Sequence, residues 1–192
     1  MRRSFITGFA VIVLVAGLWQ TGRGIWIYTK AMLAQGLLQR AWLRTNEGHA
    51  RVTPWPWADT WPVARLRAPA FDIDLIVLDG AYGRALAFGP GLTSESPGPE
   101  TTGPIVISAH RDTHFRFLKQ VRIGDELILQ WPRKAAQRYG VAEARIVDAR
   151  TATIARDENR QSLVLITCYP FDAIMPGGPL RYVVTADLLD AP

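Results

Sequence analysis

Hydrophobic positions along the chain recur with two different periods, and the change falls near residue 62. Before it the spacing is helical. From Ser4 to Gly22 nineteen consecutive residues carry no charge and most are apolar. At about 1.5 Å rise per residue a helix of that length spans roughly 28 Å, close to the ~30 Å hydrocarbon core of a bilayer. Residues 1–24 are therefore expected to form an N-terminal transmembrane helix. From Ile25 to Thr45 the apolar residues Ile25, Met32, Leu33, Leu37 and Trp42 fall on one stripe, with Lys30, Gln35, Gln39, Arg40 and Arg44 on the other side, which predicts an amphipathic helix. Residues 46–62 interleave three prolines with three tryptophans. Proline interrupts regular structure, and large rings beside it predict an extended stretch pinned to a domain surface. The expected domains are 1–24 (anchor), 25–61 (helix and Pro/Trp-rich linker) and 62–192.

From Val63 onward the period is two. Phe71, Ile73, Leu75 and Val77 alternate with Asp72 and Asp74. Strands are also predicted over Val63–Arg67, Pro104–His110, Asp125–Trp131, Gln137–Asp148, Ser162–Cys168 and Leu180–Leu188. Short helical turns are predicted at Tyr82–Phe88 and Thr113–Val121. Residues 89–103, rich in Gly, Pro, Ser and Thr, read as a loop. Seven or eight short strands without long helices between them make the domain mainly β, a barrel or a sandwich.

Charge narrows the picture less than its distribution does. The 192-residue chain carries a formal +5, but its basic residues are scattered, with no stripe or motif of the kind nucleic-acid binders use. Arg2 and Arg3 precede the apolar segment, which orients a span with its start in the cytoplasm and the rest outside. Trp19, Trp26 and Tyr28 are placed for the outer interface. A cleaved signal peptide needs small residues after its apolar core, and Ala16-Gly17-Leu18 fits that poorly, so the segment is expected to be retained. Deleting Met1–Thr45 is expected to leave a folded, soluble domain.

Three residues share one placement. His110 follows the apolar strand PIVISA, Cys168 ends SLVLIT, and Arg181 opens the last strand. Cys168 is the only cysteine, and alone it would read as a small buried hydrophobe. Together a thiol, an imidazole and a guanidinium at strand ends are the parts for acyl transfer: a nucleophile, a proton carrier and a fixed positive charge. One cysteine and three histidines without ligand spacing make a poor zinc site.

These stretches carry a resemblance. LITC, Leu165–Cys168, resembles the TLxTC signature of sortases, with Cys168 as nucleophile. SAHRD, Ser108–Asp112, is similar to the segment in which a sortase strand ends at its histidine. Arg181, thirteen residues after Cys168, matches the family's arginine, and the order His, Cys, Arg agrees. The run GPG…SPGPETTGPIVISAHR is also similar. Ala109 stands where the family usually has glycine, and Ile166 stands within the signature. PWPWADTWPVARL and AHRDTHFRFL look most like the sortase class of Gram-negative bacteria. The resemblance covers about Pro62 to Leu188.

It implies a closed eight-stranded sortase-type β-barrel with short helices and His110, Cys168 and Arg181 at one end. It implies cleavage of a C-terminal sorting signal, often LPxTG-like, in a secreted protein, through a Cys168 thioester resolved by an amine, with no cofactor or metal required. The Gram-negative class implies an inner-membrane protein whose catalytic domain faces the periplasm. Since an arginine stays protonated, His110 is the expected proton donor to the leaving amine. His114 is expected to face a helix, Asp112 to cap that helix or orient His110, and Thr167 to touch substrate or backbone. The alternatives are a thiol hydrolase on the same site and a non-catalytic membrane-anchored scaffold.

Overall fold

The computed structural model describes residues 2–99, 101–152, 160–173, 175 and 177–189, with the side chains of residues 2–8, 10, 11, 27 and 28 left out. It contains two compact units, Met1–Leu37 and Leu38–Pro192. One helix, α1 (Arg2–Asn46), replaces the two that were expected. No proline falls within it, and an interior glycine costs only about 1 kcal/mol relative to alanine, so Gly17, Gly22 and Gly24 do not break it. It stops at Gly48, whose φ of 110° lies in the region that favours glycine, with Gly48 N–H donating to Thr45 O and His49 N–H to Arg44 O. Among the described residues no helix is long and apolar enough to cross a membrane. The anchor expected over residues 1–24 is thus not found there; Met1 and most side chains of the first eleven residues, and that of Tyr28, lie outside the described set.

The amphipathic stripe is also corrected. Leu38, Ala41, Trp42 and Thr45 are buried, whereas Ile25, Met32 and Leu33 are exposed. At about 100° per residue Met32 and Leu33 lie roughly 120° and 140° around the helix from Leu38, so one docked face cannot bury all three. Leu38 and Trp42 pack with Ile76, Leu78 and Ala85, and Trp55 and Phe88 border that cluster.

In the second unit eight strands close a barrel in the order β1-β2-β3-β4-β7-β8-β6-β5. They are β1 (Pro62–Ala68), β2 (Ile73–Asp79), β3 (Gly91–Leu92), β4 (Pro104–Ser108), β5 (Glu126–Gln130), β6 (Gln137–Asp148), β7 (Ser162–Cys168) and β8 (Leu180–Leu188). β2/β3 and β4/β7 pair in parallel and the other neighbours are antiparallel, with β1/β5 completing closure. The interior is filled by alternate residues, among them Ile105, Ile107, Leu163, Leu165, Val184 and Ala186, with Val77, Leu127 and Leu129. On β2 the face predicted as apolar does turn inward: Val77 is buried and Phe71, Ile73 and Leu75 pack beside it. The opposite face, polar at Asp74, becomes apolar at Ile76 and Leu78, and these meet the end of α1.

β3 falls inside the predicted loop. It has only two residues, too few to show a period, and it runs where a Cβ on Gly91 would stand 2.3 Å from the Gly80 carbonyl oxygen. The linker is pinned as its rings suggested. Trp55 meets Phe88 edge-on at 4.8 Å, Trp61 lies under the Arg51 guanidinium, and Thr60 donates to the Asp79 carbonyl. Trp57, by contrast, is 82% exposed.

Truncation separates the two readings of the helix. Removing residues 1–37 is expected to leave the cooperative unfolding of the barrel unit intact. Removing residues 1–45 strips Leu38 and Trp42 from Ile76 and Leu78. Loss of a buried tryptophan alone costs about 3–5 kcal/mol, a large part of a domain's ~5–15 kcal/mol. Equal denaturant midpoints for the two truncations would contradict this.

Candidate active site

β7 is apolar almost throughout, and its register with its neighbours sets the site. Leu163, Leu165 and Thr167 point into the barrel, so Val164, Ile166 and Cys168 point out. Cys168, half-buried at the strand tip, is directly opposite Arg181 of β8 in the antiparallel ladder. On its other side β7 runs parallel to β4 with Ser108 level with Ile166. Carried two residues further, that register puts His110 level with Cys168, and Ala109 N–H still donates to Ile166 O at 3.2 Å. The three candidates therefore sit on three adjacent chain ends, on one face, at one end of the barrel. Adjacent strands lie about 5 Å apart, so side chains on the same face of these three ends are neighbours.

Thr167 fixes that alignment. It is 2% exposed, and its hydroxyl donates to the Ala109 carbonyl at 2.7 Å. Of its two expected roles the structure shows the backbone one; a substrate-binding role does not fit a side chain turned into the barrel. Ala109, in the place of the family's glycine, has its methyl in the core. Thr167→Val keeps the shape and removes the donor. It is expected to lower stability by about 1–2 kcal/mol and to lower kcat more than it raises KM, because the β4 end drifts from β7. Unchanged kcat in a destabilised protein would count against the positioning role.

Arg181 does not meet the cysteine side chain. Its Nη1 donates to the carbonyls of Gly178 and Leu180 at 2.7 and 2.9 Å. The loop after Cys168 is tied instead to the segment after His110. Arg111 Nη2 donates to Ala173 O at 2.8 Å, and Lys119 pairs with Asp172. A cleft of about 330 Å³ lies between them, lined by Arg111, Asp112, Arg116, Lys119 and Phe171 among others. Next to Cys168, Tyr169, Phe171 and Tyr182 form a ring trio, with Phe171 and Tyr182 5.2 Å apart. Neither Arg111 nor this trio stood out in the sequence. Arg111 adjoins His110, but its long-range bond to Ala173 depends on the fold of the loop.

The segment after His110 runs through turns into a single 3-10 turn, Arg116–Lys119, whose N-cap is Phe115 without a side-chain cap. Asp112 is thus not the cap that was expected. It is exposed, and its charge acts on His114. The His114 imidazole is pushed below its ordinary pKa, first by burial and then by His110, with Asp112 and a backbone hydrogen bond at Phe88 opposing. His110 itself is exposed. Among the described residues no group of three or more His, Cys, Asp or Glu is placed to hold a metal ion.

A closed barrel of this order with a thiol, an imidazole and an arginine at one end is the sortase arrangement, and the comparisons agree. The family model described as "Sortase domain" matches residues 66–189. The chain belongs to the sortase family. It is 32% identical over 120 residues to Sortase D of Bacillus subtilis, a match taking in 62% of this chain and 60% of that protein's length. Among solved structures, a lid mutant of sortase A from Corynebacterium diphtheriae superposes with a TM-score of 0.62 at 21% identity, over 84% of this chain and 96% of that one. The Sortase D5 transpeptidase of Clostridium perfringens does so with a TM-score of 0.60 at 17% identity, over 79% and 88%. At those identities the likeness is one of fold.

Proposed function

We propose that this protein is a membrane-anchored cysteine transpeptidase of the Gram-negative sortase class. It cleaves an LPxTG-like sorting signal near the C-terminus of a secreted protein and transfers the acyl part to an amine. The observation that carries the reading is the register: Cys168 opposite Arg181 and, two residues past the Ser108–Ile166 pair, level with His110.

In the first half-reaction the Cys168 thiolate attacks the scissile carbonyl, the C–N bond breaks, and His110 gives its proton to the departing amine. In the second, an incoming amine attacks the thioester, passes its proton to His110, and the thiolate leaves. Arg181 uses only Nη1 on its own turn, so among the described residues its Nε and Nη2 remain for the oxyanion or a substrate carbonyl. Val106, Val164 and Val183, with Val147 and Ile166 packed against them, form a second buried apolar cluster on the face of the sheet that also carries Cys168.

The anchoring part of the proposal rests on Arg2, Arg3 and the nineteen uncharged residues that follow, which favour an inner-membrane location with the site on the periplasmic side. A periplasm-specific reporter fused after Pro192 is expected to be active, and activity of a cytoplasmic one alone would end it.

Intact-mass measurement of the full chain mixed with an LPxTG-like peptide tests the chemistry. The expected result is one acyl fragment on Cys168, discharged by an added amine to a new amide. Discharge by water at the same rate with and without amine would favour the hydrolase, and no adduct with any peptide of this kind would sink the reading.

A further inference from the structure

The cleft of about 330 Å³ next to the active end falls within the size range of small-ligand pockets, and most of its wall comes from one segment. Arg111, Asp112, Arg116, Lys119 and Gln120 all follow His110 closely in the chain, and Phe171 and Asp172 follow Cys168. Two of the cations tie the walls together. Arg111 Nη2 donates to the Ala173 carbonyl at 2.8 Å, and Lys119 pairs with Asp172 at 2.9 Å. Among the described residues Arg116 makes no side-chain hydrogen bond or ion pair, and neither does Asp112. The cleft thus keeps an unpaired charge of each sign. Its place on the His110 segment has a chemical meaning. The leaving amine takes a proton from His110 and the incoming amine gives one to it, so both amines pass on that side of the thioester.

We propose that this cleft is the acceptor subsite, and that the acceptor it takes is an amine carrying a free carboxylate, an amino acid or a short peptide, with the carboxylate on Arg116 and the ammonium by Asp112. The inference deepens the transpeptidase reading given above and rests on it. An α-amine has an ordinary pKa of about 7.7–8.0 and arrives mostly protonated at neutral pH. It gives one proton to solvent and a second to His110 as its nitrogen attacks the thioester carbonyl. The C–N bond forms, the C–S bond breaks, and the Cys168 thiolate leaves. The Arg116 guanidinium presents parallel N–H groups that match a carboxylate, which a lysine at the same position would not reproduce.

The test uses the full chain, first loaded with the acyl fragment of an LPxTG-like peptide. The thioester is then discharged by glycylglycine or by glycylglycinamide, which differ only in the terminal carboxylate. The parent is expected to show a KM about fivefold lower for glycylglycine, the size of a partly exposed ion pair. Arg116→Gln is expected to raise that KM until the two acceptors are equal, and Arg116→Lys to fall between. Arg116 is exposed, so the unfolding midpoint should stay with the parent's. Equal KM values for the two acceptors in the parent overturn the proposal, and so does an Arg116→Gln protein that keeps the parent's preference. An Arg116→Gln protein that slows acyl loading as much as discharge also overturns it, because the cleft would then hold the departing part of the sorting signal. Absence of any adduct on Cys168 is a different result. It removes the transpeptidase reading and the subsite with it, whereas an adduct discharged alike by both acceptors removes the subsite alone.

Discussion

Cys168→Ala is expected to remove turnover to the assay floor and to leave no acyl adduct on the protein. The expectation has a structural half and a chemical half. Structurally the change is mild: the thiol is half-buried at the tip of β7 on the outer face, and its removal opens no cavity among the residues that fill the barrel interior, which lie on the other face of the strand. Stability should change by no more than about 1 kcal/mol, in the range of substitutions away from the core. Chemically nothing replaces it. Cys168 is the only thiol in the chain, and loss of the nucleophile in a comparable triad costs about 10⁶-fold in kcat. Measuring the unfolding midpoint with the transfer rate separates the two halves. A folded Cys168→Ala protein that still transferred peptide would eliminate covalent catalysis here. One that lost no cellular function would favour the scaffold alternative.

The longer strands were legible from their apolar runs and their length. β7 is apolar almost throughout and buried on both faces, so the run and its end marked it rather than a period. The bounds of β6, β7 and β8 coincide with those expected. β3 lacked that signal because two residues carry no period. The helix was legible as helix and illegible as surface. Its apolar residues lie all around it, so composition could not tell that only the side bearing Leu38, Ala41, Trp42 and Thr45 would be covered. The site behaved similarly. That Cys168, His110 and Arg181 end or open strands could be read from where the apolar runs stop. That the three strand ends are neighbours depends on the β4-β7-β8 order and on a parallel β4/β7 pairing between strands far apart in sequence. Thr167 shows the limit of motif reading: the signature drew attention to it, but strand parity decides that it faces inward and bonds Ala109.

His110→Ala and His114→Ala should differ by orders of magnitude, although the two histidines lie four residues apart. His110 leaves β4 level with Cys168, exposed and on the outer face. In the proposed reaction it protonates the leaving amine and deprotonates the incoming one, and loss of such a group typically costs about 10²–10⁴-fold. His114 is half-buried, beside Phe88 and Thr113, and desolvation lowers its pKa below the ordinary 6.5. It is neutral at neutral pH and holds no proton to give, so His114→Ala should stay within several-fold of the parent in transfer rate. Its signature appears in stability instead. With a folded pKa below 6.5, the unfolded chain takes up this proton first as pH falls. Stability should therefore decline from near pH 6.5 down to the lower folded value, and His114→Ala should flatten that decline. A His114→Ala protein as inactive as His110→Ala would move the proton carrier to His114. A stability profile unchanged between pH 7 and 5 by the same substitution would remove the account of its burial.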